Sequence, residues 1–542
     1  MEELVKMLLE DRVIVKAPDG ALYVEAGRLD NVRVPPSLAG LLQARLDTLL
    51  YPERLTLQRA AVIGRVFYDA ALQALDAADE PREQLADLLG ILQRLTERGF
   101  IQRRETSAMA GSEEYVFAQA MLHDQIYATL LRRQVSTYHA ALAGWLAASE
   151  RADEYLPLIA GHYEKAGDVA KAAHFLRRAG QQALARGTPK EALSFCERAL
   201  ALLPAPLPSG DVLMGERIEL LLALGETKRG LGQYAESQAD FQTALGLARQ
   251  ANDRRQVALA LYYLGWTVTM QGDFAAAQAY LTESLPLARA LAESGVDRTT
   301  LAQVLYGLGR LAWSLSQLDE AATLFEEGLA LARALGDQTL ELHALNGLGL
   351  ISLSLKRSAE ARARWDEGRA LAAQRGNRVR LAVFLNNLGE VDRGEGKYRE
   401  AGERYQEALA LSREVGDRHN EVFLLLNLGL LAMALGEVAE AEEHFRAGIR
   451  QAWEFGTLPL SLWAVADLGW VRARAGDSRT ALAWLGLALS HPAADANVRD
   501  AADPVLAELR AVLSPEEIEA GLARGQTLTL EEVVQELLRE GK

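Results

Sequence analysis

Cysteine is all but absent from this 542-residue chain: Cys196 stands alone, so no internal disulfide framework can form, and it reads as a small buried hydrophobe rather than a nucleophile. The eight histidines, at 123, 139, 162, 174, 343, 419, 444 and 491, include no His-x-x-x-His pair and no HExxH, which leaves a metal site unsupported. There is no G-x-S-x-G elbow and no G-x-x-x-x-G-K-[ST] loop to cradle phosphates. Acidic pairs such as Glu326-Glu327 and Glu442-Glu443 recur on helical segments and read as solvated faces, not as paired catalytic carboxylates. The longest apolar run, Phe423 to Leu435, contains Asn427 and is too short to span a bilayer. No charged, apolar, small-residue leader opens the chain, so the expected compartment is the cytoplasm, with no membrane partner. Aromatics are only 6% and the net charge is −16, which disfavours a chain that coats nucleic acid. No enzyme activity, catalytic residue, metal or cofactor is expected.

What the chain has instead is self-similarity. Leu-Gly is followed after seven residues by a turn position, after five more by a small residue, and after seven more by Ala, Gly or Ser. The pattern runs through Gly265, Gly272, Ala277 and Ser284, and again through Gly349, Lys356, Ala361 and Gly368, and later through Gly389 and Gly429. Turn positions fall at 232, 272, 316, 356, 396, 436 and 476, a spacing of 40 broken once by 44. A fixed period of this size predicts helix–turn–helix units stacked into a solenoid, each stable only against its neighbours. Small residues mark helix crossings, where a larger side chain would hold the backbones apart. Apolar residues such as Leu324, Phe325 and Leu329 fill the inward positions.

These residues resemble the tetratricopeptide repeat in the 40-residue form of MalT-like regulators, from about residue 154 to 490. The turn aromatics Tyr234, Phe274 and Tyr398 and the late aromatics Phe241, Phe325, Trp365, Tyr405 and Phe445 occur in the family's order. A half-register echo, Gly167-Ala172-Ala179 then Gly187-Ala192-Ala199, predicts shorter helices over 154–205 that begin the stack of 212–490. Residues 491–542, with Leu513-Ser-Pro-Glu-Glu and Leu528-Thr-Leu-Glu-Glu, predict capping helices.

Residues 31–148 lack the period. Helices are expected at Leu38–Leu50, from Pro52, and at Arg82–Arg98, with Ile63-Gly-Arg-Val-Phe67 as an interruption. Two strands around a turn follow, at Gly99–Glu105 and Glu114–Phe117, giving a winged-helix order. Arg94, Arg98, Arg103 and Arg104 are then the candidates for phosphate contact. Val34-Pro-Pro-Ser-Leu38, Leu42-Gln-Ala-Arg-Leu46, Gln58-Arg-Ala-Ala-Val-Ile-Gly64 and Ala120-Met-Leu-His-Asp124 are similar, in order, to the stretch after the nucleotide-binding core of STAND-type regulatory ATPases. Those include ATPases fused to class III nucleotide cyclases and regulators with LuxR-type DNA-binding ends. On that resemblance residues 1–30 are the end of such a core, and Gln119 stands where relatives carry a nucleotide-contacting His. With no phosphate loop, no self-sufficient nucleotide site is expected.

The fold class expected is therefore mainly α: a winged-helix-like region followed by an α-solenoid. First helices of successive repeats line a concave groove. Counting from each Leu-Gly glycine places Tyr262, Trp266, Tyr306, Arg310, Asn346, Asn386, Asn387, Glu390, Asn427, Asp467 and Trp470 on its wall, offering amides for a peptide backbone or hydroxyls and flat aromatic surface. The function expected is a non-catalytic regulator or scaffold that binds a protein, peptide or small-molecule effector there. Two alternatives stand: a transcription regulator working through the winged helix, and the sensory half of a signalling ATPase whose nucleotide-binding module acts in trans. Nucleic acid is not otherwise an expected partner.

Overall fold

The computed structural model describes residues 5, 13–16, 22–24, 38–78, 87–109, 111–186, 188–205 and 213–540. The Val34–Ser37 motif, most of the segment read as the end of an ATPase core, and residues 82–86 of the expected third helix lie outside them. Internal contacts divide the chain into two units, residues 1–176 and 177–542. None of the described helices is long and apolar enough to cross a membrane.

In the first unit β1 (Ile14–Lys16) pairs antiparallel with β2 (Leu22–Val24). Helices α1 (Leu38–Asp47) and α2 (Tyr51–Ile63) lead into β3 (Val66–Tyr68), then α3 (Asp69–Ala77), α4 (Leu88–Glu97) and the hairpin β4 (Ile101–Arg103) and β5 (Glu114–Phe117). The sheet order is β3-β5-β4, all antiparallel, so Ile63–Phe67 is more than an interruption: Gly64, at φ 148°, releases the chain from α2 into a strand. Phe67, Phe100, Tyr115 and Phe117 are buried in one core with residues of the surrounding helices. Helices α5 (Ala120–Ala128), α6 (Arg132–Ala147) and α7 (Leu156–Ala166) follow. Between them His139 is wholly buried; its Nδ1 lies 2.8 Å from Nδ1 of His162 and its Nε2 lies 2.9 Å from the Tyr127 hydroxyl.

After α8 (Val169–Ala185) and α9 (Pro189–Leu202) the second unit is a run of helix pairs. The inner helices are α10 (Leu213–Gly230), α12 (Arg254–Gln271), α14 (Thr299–Ser314), α16 (Gln338–Ser354), α18 (Arg378–Gly394), α20 (Arg418–Leu435) and α22 (Leu458–Arg474). The outer ones are α11 (Tyr234–Gln250), α13 (Phe274–Glu293), α15 (Leu318–Leu335), α17 (Ser358–Gln374), α19 (Tyr398–Val415), α21 (Val438–Glu454) and α23 (Ser478–Ser490). Every turn position of the 40-residue period adopts positive φ, including Ser316 at 62° and Lys356 at 59°, where no glycine is present. Asp253, Asp337, Asn377 and Asp417 cap the next inner helices by accepting backbone N–H bonds. In five repeats the Leu-Gly glycine lies against the aromatic side chain sixteen residues on: Gly225 on Phe241, Gly309 on Phe325, Gly349 on Trp365, Gly389 on Tyr405 and Gly429 on Phe445; Gly265 meets Leu281 instead. Those rings are at most 1% exposed, so each of the five pairs is welded by one aromatic seated on bare backbone.

The solenoid winds back on itself. Phe455, after α21, lies against Gly232, between α10 and α11, while Ala493 lies against Gly272, between α12 and α13. Arg499, in α24 (Ala496–Arg510), donates to the Ser314 carbonyl at 2.7 Å and to Ser316 Oγ at 3.1 Å. Helices α25 (Pro515–Gly525), with a Ser514–Glu517 capping box, and α26 (Leu530–Glu540) complete the C-terminal core with α22–α24.

Candidate functional site

Closure of the superhelix turns the expected open groove into a cavity of about 540 Å³, lined by α10, α12, α14, α16, α18, α20, α22 and the start of α24. On each inner helix the lining residues follow helical spacing: Gln303, Tyr306, Arg310 and Trp313 on α14; Thr339, His343, Asn346 and Leu350 on α16; Val379, Val383, Asn386 and Glu390 on α18. Nine residues named from the sequence meet here: Tyr262, Trp266, Tyr306, Arg310, Asn346, Asn386, Asn387, Glu390 and Asn427.

The other two do not reach it. Only the first turns of α22 reach the cavity; its later part meets α24, where Trp470 donates its indole N–H to Glu508 at 3.2 Å and lies under Arg474. Asp467 is wholly buried with neither oxygen bonded, and burial raises its carboxyl far above the usual range, partly offset by Arg393. A protonated acid is the form that such an enclosure favours.

The asparagines are engaged with one another. Asn427 Nδ2 donates to Asn386 Oδ1 at 3.0 Å, Asn386 Nδ2 to Asn387 Oδ1 at 3.3 Å, and Asn387 Nδ2 to Asn346 Oδ1 at 2.6 Å. This chain crosses three repeats and leaves Asn427 Oδ1 as a buried acceptor without a partner. At the other end the wall is aromatic. Tyr262, Tyr263, Trp266 and Tyr306 form a run of ring contacts 5.0 to 5.8 Å apart, and His343 stacks on Tyr306 at 4.6 Å.

Sequence reasoning missed His343, Arg380 and His419. They lie six, nine and ten residues before the Leu-Gly glycines of their repeats, one to two turns above the positions counted, so extending the same helical stripe would have found them. Burial, and then the charges of Arg380, Arg229 and Arg310, hold the His343 ring well below its usual range; His419 is pushed down to about 3, chiefly by burial. Both rings are neutral at physiological pH, and Nδ1 of each is buried without a partner. Among the described residues no three His, Cys, Asp or Glu side chains are grouped to hold a metal.

The four arginines expected to meet phosphate are taken up locally. Arg94 and Arg98 reach Glu53 at 3.4 and 3.0 Å, Arg103 pairs with Glu113 at 2.5 Å, and Arg104 with Glu114 at 2.8 Å. Each partner reduces the free charge available to phosphate. His123 spans Asp124 and the Ala61 carbonyl, a structural role, while Gln119 stands at the N-cap of α5.

Tetratricopeptide-repeat models match residues 216–290, 302–335, 340–414 and 380–452. An uncharacterized protein of Rhizobium meliloti (strain 1021) is 27% identical over 246 residues, 43% of this chain and 22% of that protein, so the chain spans about a fifth of its length. A signal transduction ATPase with numerous domains (STAND) bearing a tetratricopeptide repeat sensor, from Pyrococcus horikoshii, superposes with a TM-score of 0.54 at 13% identity, over 90% of this chain and 68% of that one. That likeness establishes a shared fold. A Rap protein complexed with competence and sporulation factor aligns over 70% of this chain and 100% of its own at 12% identity, with a TM-score of 0.49.

Proposed function

We propose that this tetratricopeptide-repeat chain is a non-catalytic sensor or scaffold whose inner cavity binds a small effector or a short peptide segment and reports it through the winding of the superhelix. The carrying observation is the cavity itself, where aromatic, amide and charged side chains from seven inner helices face one space of about 540 Å³. That size suits a compact ligand and is too small for a folded domain. A ligand touching several inner helices at once stabilises one angle between repeats, which is how a solenoid converts binding into a change of curvature. The Pyrococcus horikoshii protein carries its repeats as a sensor, and a comparable role for this chain, beside a nucleotide-binding module in trans and in the cytoplasm, belongs to the same proposal.

The test is a panel of short peptides, oligosaccharides and metabolites screened by melting temperature on the wild-type chain and on Trp266→Ala. Ligands of the cavity should raise the wild-type transition and lose most of that effect in the variant, because Trp266 supplies contact surface on the wall. Hits indifferent to Trp266 that protect only amides outside α12–α20 from exchange would place binding elsewhere. The winged-helix alternative predicts salt-dependent binding to duplex DNA.

A further inference from the structure

The cavity wall carries three guanidinium groups, of which two, Arg310 and Arg380, form no ion pair among the described residues. Arg229 of α10 lies with its guanidinium over the Trp266 ring at 3.7 Å, and its nearest carboxylate oxygen, on Glu226, is 3.8 Å away. Arg310 of α14 forms no ion pair among the described residues: it approaches Met270 Sδ at 3.9 Å, and its Nε is buried without a partner. Arg380 of α18 donates to His343 Nε2, a ring kept neutral. The nearby Asp337 and Asp417 are occupied as helix caps, each accepting a backbone N–H at 3.1 Å. Three guanidinium groups from three separate repeats thus face one space, whose own carboxylates are Glu226 beside Arg229, the helix-capping Asp337, Asp417 and Asp495, and Glu390. Partly buried charge of this kind is better solvated by a counter-charge than by the cavity wall, and the guanidinium fork matches the two oxygens of a carboxylate or phosphate.

The geometry points to an effector that carries a carboxylate or phosphate group, seated among Arg229, Arg310 and Arg380, with a flat aromatic or apolar body against Trp266 and Tyr306. This rests on the reading of the cavity as the effector site and adds the chemical class of its ligand. Because the three arginines belong to α10, α14 and α18, an anion held by all of them ties together repeats that are not neighbours in sequence.

The experiment titrates benzoate and phenyl phosphate, with benzamide and benzyl alcohol as neutral counterparts, into the full chain by calorimetry. At least one acid should bind about tenfold or more tightly than its neutral counterpart, as expected when a charge-assisted hydrogen bond is gained, and the stronger acid tells carboxylate from phosphate. Arg310→Met and Arg380→Met should each remove that preference while the chain still unfolds in one cooperative transition, with Arg310→Met, whose side chain forms no ion pair among the described residues, the milder of the two for stability. Acid and neutral compounds binding equally, or acid binding untouched by both variants, would overturn the anion site while leaving the cavity as an effector site. Binding of none of the four would also overturn it, and the peptide and metabolite panel would then decide the wider reading on its own.

Discussion

The backbone of Gly349 lies directly beneath the indole of Trp365, so closely that a methyl group on that glycine would sit 2.1 Å from the indole Nε1. The indole N–H in turn donates to the Asn346 carbonyl at 3.3 Å, joining α17 to the wall of the cavity. Gly349→Leu should therefore overpack the crossing and destabilise by about 1 to 3 kcal/mol or more. Glu327→Leu, on the exposed outer face where Glu327 meets only Arg289 at 3.5 Å, should stay within about 0.5 kcal/mol. Denaturant melts of the two variants check the register, and equal shifts would contradict it.

The amide chain from Asn427 to Asn346 makes a second prediction. Asn386 both donates and accepts within it, so Asn386→Ala strands a donor on Asn427 and an acceptor on Asn387, each in a buried setting. The expected loss is about 1 to 3 kcal/mol, the usual penalty for unmatched buried polar groups. A neutral effect in an equilibrium melt would mean that water replaces the missing amide.

His139 and His162 set a pH dependence for the first unit. Burial, followed by the neighbouring His162 and Lys165 charges, pushes His139 down to about 3, and burial followed by Lys165 pushes His162 down to about 4. The unfolded chain titrates both near the ordinary value of about 6.5. Above that pH neither state is protonated and the stability is whole; as the pH falls from about 6.5 towards 4 and then 3, the unfolded state binds protons the folded state refuses, and stability is lost. His139→Phe should melt lower than wild type near neutral pH, with the gap narrowing at about pH 5. A gap independent of pH would show that the pair does not drive the acid loss.

Arg499 fastens the winding. Arg499→Ala removes the bonds to the Ser314 carbonyl and Ser316 Oγ and should cost about 1 to 3 kcal/mol. Amide exchange should accelerate near residues 311–317 and 493–499, far apart in sequence, while the turn at Lys356 keeps its rate.

Much of this was legible beforehand because it is local. The turn at Lys356 was placed by the period, and the chain takes φ 59° there without a glycine. Inward positions such as Tyr306 and Asn387 followed from helical spacing alone. The closure was not legible, since it accumulates from small rotations between repeats and is sealed by Gly272 against Ala493, a contact that no local pattern signals. For the same reason Trp470 was placed on the wall, whereas it meets α24. Nor did spacing show that Asn386 would accept from Asn427 or that Asn387 would donate to Asn346; side chains on adjacent helices choose between a ligand and their own kind only in three dimensions.

The winding of the superhelix back on itself around the cavity is the central claim, and cysteine crosslinking tests it most directly. Gln233 and Glu454 are exposed and flank Gly232 and Phe455, the pair that meets when the superhelix completes its turn. Cys196 is buried, and burial pushes its thiol up to about 11, so it leaves the introduced thiols as the reactive ones. With Gln233→Cys and Glu454→Cys, a short bismaleimide should give an intramolecular crosslink in the monomer band, whereas Gln233→Cys with Glu414→Cys, the same register one repeat earlier, should give far less. No crosslink in the first pair, or equal yields in both, would contradict the closure and the cavity with it.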